Sequence, residues 1–156
     1  MNSSVRLNIA FNKKLADKRK EWLRAADPNC FLDNKQETIC ISEFVDKELV
    51  LYELENIRRS IPSMIDGFKP SQRKILFACF KRKLTSVIKV AQLSGYVSEH
   101  AAYHHGEQSL NQTIVNLAQS YTGANNIPML VPKGQFGSRP RGGKDSAAPR
   151  YIFTML

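Results

Sequence analysis

Between Val5 and Phe11 apolar and polar side chains alternate, a period-2 pattern that predicts a short strand. Asn12 is placed to cap a helix through Lys20, Glu21, Trp22 and Leu23, which Asp27-Pro28-Asn29 ends. Residues 27–41 read as a linker, with a possible strand at Thr38–Ile41. Ser42 is the expected cap of a helix carrying Phe44, Val45, Leu49, Tyr52 and Ile57. Pro62 and Gly67 hold the stretch from Arg59 to Lys69 to mostly loop.

Pro70 suits the first turn of a further helix, because its missing N–H would be unpaired there in any case. Ile75, Leu76, Cys79 and Phe80 are its expected buried stripe. Val87, Val90, Ala91, Ser94 and Val97 recur at helical spacing. Tyr103-His-His-Gly106 interrupts, and Leu110, Ile114, Leu117, Ala118 and Tyr121 then line one side of a third helix that Gly123 stops. Ile127–Val131 and Arg150–Leu156 read as strands flanking a Gly-rich loop. Three helices, the last two joined by a turn, followed by strands, give an α+β class with the outline of a winged helix-turn-helix. The run Ile152–Leu156 is apolar to its last residue, so a piece of a longer protein is expected.

Charge sharpens this outline. The 156-residue chain carries a net charge of +9. Residues 1–66 hold 11 Lys/Arg and 11 Asp/Glu, whereas residues 67–156 hold 12 cations against Glu99, Glu107 and Asp145. A positive charge gathered in one half suits a polyanion, because each phosphate contact releases a condensed counterion. A solvated basic face is the plainer alternative. No apolar run approaches the length of a membrane helix, and no secretory signal is visible. Cys30, Cys40 and Cys79 are an odd number without metal-like spacing and read as reduced thiols.

The chemistry concentrates near the C-terminus. Tyr151 follows Arg150 directly, behind a loop holding Gly137, Gly142 and Gly143 with Arg139, Arg141 and Lys144. A phenol in water has a pKa near 10, so forming phenoxide at neutral pH costs about 3–4 kcal/mol. A neighbouring cation lowers that cost and stabilises charge building on a phosphate under attack. Neighbours in a regular strand face opposite ways, so Arg150 and Tyr151 reach one phosphate only across a bend, which Pro149 favours. An aromatic packed in a β-core is the alternative. The loop lacks the Gly-Lys-Ser/Thr ending of a nucleotide-binding loop and reads as a flexible clamp on a phosphate backbone. His104 and His105 lack the partners of a zinc set; a proton-transfer or phosphate-binding role at the start of a helix fits better. Lys69, Arg73, Lys74 and Lys81-Arg-Lys83 would position a nucleic acid without reading its sequence.

Several motifs in one order carry a resemblance: Arg59-Ser-Ile-Pro-Ser-Met, Asp66-Gly-Phe-Lys-Pro-Ser-Gln-Arg-Lys74, Lys89-Val-Ala-Gln-Leu, Tyr103-His-His-Gly-Glu107, Asn116-Leu-Ala-Gln119, Gly134-Gln-Phe-Gly137, Gly142-Gly-Lys-Asp-Ser146 and Pro149-Arg-Tyr-Ile-Phe-Thr154. Together they resemble the breakage-reunion region of eukaryotic-type DNA topoisomerase II, a type IIA enzyme. Ala10-Phe-Asn-Lys-Lys and Arg19-Lys-Glu-Trp-Leu23 resemble the tail of that family's metal-binding (TOPRIM) domain. The resemblance implies residues 1–26 as that tail, 27–41 as linker and 42–156 as the winged-helix part, incomplete at its C-terminus.

It further implies that Tyr151 attacks the scissile phosphate and forms a 5′-phosphotyrosyl link, with Arg150, His105 and Arg59 around that phosphate. Lys69, Arg73, Lys74, Gln135 and Lys144 fall in DNA-contacting motifs. Double-stranded DNA as partner, a homodimer, a nuclear location, and Mg2+ and ATP bound outside these residues come from the same resemblance. The fragment alone is expected to bind DNA weakly without cleaving it efficiently. A non-catalytic winged-helix DNA-binding module is the competing expectation.

Overall fold

The structure is a computed structural model and describes residues 2–33 and 35–156. It divides into two compact units, Met1–Ile61 and Pro62–Leu156. Asn34, inside the expected linker, and Met1 lie outside the described residues.

The first unit is helical. Residues 5–11 are not a strand but part of helix α1 (Ser3–Phe11). Asn2 caps it through Ser4 N–H, and its half-buried side is Ser3, Arg6, Ile9 and Ala10 rather than the alternating apolar set. Among the described residues of this unit there is no strand for an extended segment to pair with, so the local cap prevails. Asn12 caps a single 3-10 turn, Lys13–Leu15, that leads into α2 (Ala16–Arg24). Arg19 turns back to donate to the carbonyls of Ile9, Ala10 and Asn12 at the end of α1.

The expected strand at Thr38–Ile41 is also absent. Cys40, not Ser42, precedes the first turn of α3 (Ile41–Phe44). One π-type turn, Val45–Leu49, joins α3 to α4 (Val50–Ser60). Asp46 in that turn accepts from Trp22 Nε1 at 3.1 Å and pairs with Arg6 at 2.9 Å. Leu32, Val45 and Val50 are buried, while Phe44 and Tyr52 face outward.

The second unit has the larger core. Helix α5 (Pro70–Lys81) begins at Pro70 as expected. Its buried residues are Ile75, Ala78 and Cys79; Phe80 is 65% exposed. The buried face of α5 runs through these three residues, and Phe80 lies off it. Lys83, at φ 51°, ends the helix in the left-handed conformation, with Leu84 N–H returning to the Cys79 carbonyl.

Ile88–Lys89 form β1, so α6 runs from Val90 to His100 rather than from Val87. Its buried face is Val90, Leu93, Ser94 and Val97. Helix α7 (Glu107–Ala118) follows and buries Leu110, Ile114, Leu117 and Ala118. It ends before Tyr121, and Gly123 lies in a later turn at φ 96°. Strand β2 is Val131–Lys133 and β3 is Phe153–Met155. The antiparallel sheet has the order β1-β3-β2, pairing Ile88 with Thr154 and Pro132 with Thr154. The last strand in sequence is therefore central, and α5, α6 and α7 share one core with Leu130, Phe136 and Ile152.

Candidate active site

Tyr151 does not lie within the strand. Its N–H closes a turn on the Ala148 carbonyl at 2.9 Å, two residues before β3 begins. The first amides of α6 hold both sides of this turn: Val90 N–H donates to Ile152 O and Ala91 N–H to Pro149 O. Ile152 is buried, and Tyr151 stands 66% exposed. The turn places Arg150 on the same side, its guanidinium carbon 5.0 Å from the Tyr151 ring centre. An exposed phenol beside a delocalised, permanently charged fork can present both a nucleophile and a phosphate-binding cation to one anion.

The second histidine of the pair is part of a built turn. Ala102 sits at φ 47°, and Lys74 Nζ donates to its carbonyl at 2.7 Å. Tyr103 is buried. The His105 ring meets the Tyr103 ring edge-on at 5.4 Å and lies 4.3 Å from the His104 ring. Gly106 then opens α7, accepting from Ser109 and Leu110 N–H.

The Gly-rich segment, expected as a flexible clamp, is tied together by its own hydrogen bonds. Phe136 is buried at its start. A 3-10 turn, Arg139–Arg141, carries both arginines outward. Asp145 accepts from Ser138 N–H at 2.8 Å and from Ser138 Oγ at 2.7 Å. The Ser138 hydroxyl, and then its amide, hold the Asp145 carboxyl below the usual carboxylate range. Ala147 N–H returns to Gln135 O. Gln119 and Asp145 fall in motifs read from the sequence but were given no role there. The signals were a polar side chain directly behind the apolar stripe of α7 and a single acid inside a basic loop.

The remaining candidate residues differ in what they have free. Lys69 precedes α5, its N–H bonded to Gln72 Oε1 and its side chain in solvent. Arg73 pairs with Asp66 at 2.7 Å, and Lys74 already holds Ala102. Lys144 is exposed; Gln135 is exposed and reaches Asp145 at 3.4 Å. Arg59 lies exposed in the last turn of α4, in the first unit. Among the described residues, no group of three or more His, Cys, Asp or Glu could hold a metal ion. No helix among them is long and apolar enough to cross a membrane.

Residues 59–156 match the family model of the DNA gyrase/topoisomerase IV A-type subunits, and residues 1–57 match the C-terminal associated domain of TOPRIM. The chain belongs to the type IIA DNA topoisomerase family. It is 59% identical over 150 residues to DNA topoisomerase 2 of Candida albicans and 57% identical over 155 residues to that of Saccharomyces cerevisiae. These alignments take in 96% and 99% of this chain but only 10% and 11% of those relatives. The crystal structure of the Plasmodium falciparum topoisomerase II DNA-binding, cleavage and re-ligation domain matches with a TM-score of 0.81 at 51% identity, covering 99% of this chain and 21% of that one. The mixed helical fold with a small antiparallel sheet is thus that of a type II topoisomerase cleavage region.

Proposed function

We propose that these residues form the cleavage site of an ATP-dependent type II DNA topoisomerase, with Tyr151 as the nucleophile. The observation that carries the reading is the exposed Tyr151 side chain with the Arg150 guanidinium against its ring, held on a turn rather than in a strand. The phenol loses its proton and its oxygen bonds to the scissile phosphorus. The bond to the 3′ oxygen breaks, and that oxygen leaves and takes up a proton. One phosphodiester replaces another, so the step runs backwards as readily and reseals the strand.

Arg150, with His105 and Arg59, is assigned to the scissile phosphate. Lys69, Arg73, Lys74, Gln135 and Lys144 are assigned to the DNA backbone; Lys69 and Lys144 are exposed, while Arg73 and Lys74 would share their charges with Asp66 and Ala102. In this reading residues 1–26 are the tail of a TOPRIM-like domain, 27–41 a linker and 42–156 a winged helix-turn-helix part, with α6 and α7 as the helix pair. A homodimer supplies paired cuts, and Mg2+ and ATP are held outside these residues. Nuclear location belongs to the same proposal, to be checked by imaging, since a Dictyostelium discoideum relative at 54% identity is named mitochondrial. Alone, the 156 residues would bind DNA weakly without efficient cleavage.

The test is covalent trapping. The full-length protein is incubated with duplex DNA, denatured rapidly, nuclease-digested and mapped by mass spectrometry. A nucleotide on Tyr151, absent from Tyr151→Phe with DNA affinity retained, is the expected result. Undiminished adducts in Tyr151→Phe would remove the tyrosine from the reaction and leave a DNA-binding module.

A further inference from the structure

We infer that Gln119 is a positioning residue for the Tyr151 chemistry, acting through the Gly-rich loop; the inference rests on the proposed role of Tyr151. Gln119 follows the last residue of α7 and is buried. Its Nε2 donates to Phe136 O at 2.9 Å and to Gly143 O at 3.4 Å. Its Oε1 accepts from the Tyr121 hydroxyl at 3.2 Å. One amide thus ties the two limbs of the loop to each other and to the end of α7.

The glycines are fitted to this amide. A Cβ on Gly143 would run into Gln119 Nε2 and the Tyr121 hydroxyl. A Cβ on Gly137 would come within 2.6 Å of Gly143 Cα. Beyond Gly143 the chain has little freedom before the nucleophile. Asp145 is bonded to Ser138, Ala147 N–H to Gln135 O, Ala91 N–H to Pro149 O, and Tyr151 N–H to Ala148 O. A shift of the Gly143 limb is therefore passed along to the turn bearing Arg150 and Tyr151.

The backbone of Gln119 is fixed independently of its side chain. Its N–H bonds Val115 O, and its carbonyl accepts from Asn125 Nδ2 at 2.9 Å. Changing the side chain to leucine leaves those bonds in place and withdraws only the donor to the loop and the acceptor for Tyr121.

The test uses the full-length protein carrying Gln119→Leu, Gln119→Glu, Tyr121→Phe or Tyr151→Phe. Single-turnover adduct formation is measured at a temperature where melting curves show every variant folded. DNA affinity is measured in a Tyr151→Phe background, so that binding is separated from cleavage. Gln119→Leu is expected to slow adduct formation about 10- to 100-fold, the scale of a misplacement near 1 Å, with affinity within about twofold, less than an ordinary hydrogen bond's worth. Tyr121→Phe is expected to slow it about fivefold, the equivalent of one such bond, and serves if Gln119→Leu fails to fold.

Gln119→Glu supplies a readout that general weakening would not. Only the protonated carboxyl can donate to the loop carbonyls, so its rate relative to the parent should rise as pH falls from about 8 to about 6, the span over which a buried carboxyl protonates. A parental rate in Gln119→Leu, or a loss matched by lost DNA affinity, would overturn the inference alone. Adducts persisting in Tyr151→Phe would overturn the proposed function, and this inference with it.

Discussion

The Arg150 guanidinium carbon lies 5.0 Å from the centre of the Tyr151 ring, although the two residues are sequence neighbours ahead of a strand. A regular strand would send them to opposite faces. The turn closed by Tyr151 N–H on Ala148 O is what brings them together. Arg150→Lys keeps the charge but loses the flat, stacked fork. Cleavage is expected to fall about 10²-fold, the usual cost of removing a donor from developing transition-state charge, with DNA affinity little changed. Quench-flow trapping of the adduct measures it.

Two adjacent glycines should respond differently to substitution. Gly143 combines φ 77° with contacts that leave no room for a side chain. Gly142 has φ 57° and ψ 31° in open space, a conformation asparagine tolerates. Gly143→Ala is expected to cost about 2–3 kcal/mol and Gly142→Asn under about 1 kcal/mol. Urea denaturation of both variants beside the parent chain decides the comparison.

The Asp145 carboxyl is held low, first by the Ser138 hydroxyl and then by the Ser138 amide. A carboxylate whose folded pKa is depressed stabilises the fold above its unfolded pKa, about 3.9. That contribution disappears as pH falls through the lower folded value. Ser138→Ala should raise the Asp145 pKa toward the ordinary value, as read by carbon NMR titration. Its destabilising effect should be full above about pH 5 and shrink as the pH falls below the unfolded value.

The thiols should separate cleanly by reactivity. Hydrogen bonds from the Ser42 and Ser3 hydroxyls and from the Ser42 amide bring Cys40 down to about 7. Burial pushes Cys79 up to about 11. Since the thiolate is the reacting form, iodoacetamide should modify Cys40 with a midpoint near pH 7 and leave Cys79 intact until unfolding. Ser42→Ala should move the Cys40 midpoint upward. Peptide mapping across a pH series gives both answers.

What the sequence made legible was local. Pro70 marks the start of α5 and Gly106 that of α7, because each acts on the turn it occupies. The bend before β3 was legible through Pro149. Val5–Phe11 misled because a seven-residue alternation also fits a helix, and only the Asn2 cap and the lack of a pairing strand in that unit decide between them. Phe80 misled because helical spacing shows that a stripe exists but not on which side of it the small Ala78, rather than the large Phe80, is buried. The role of Gln119 was illegible for a different reason. Its two acceptors lie 17 and 24 residues further along, and no periodicity links a helix end to two carbonyls of a loop.

Strand β3 is hydrogen-bonded on both edges, and the turn before it hangs from the first two amides of α6. This sets how the mount of Tyr151 bears force. Tension on the phenolic oxygen would be divided between β1, β2 and the base of α6 instead of peeling a single edge. Such an anchorage yields only when several bonds fail together, which suits the role proposed for Tyr151, to keep hold of a cut strand under strain.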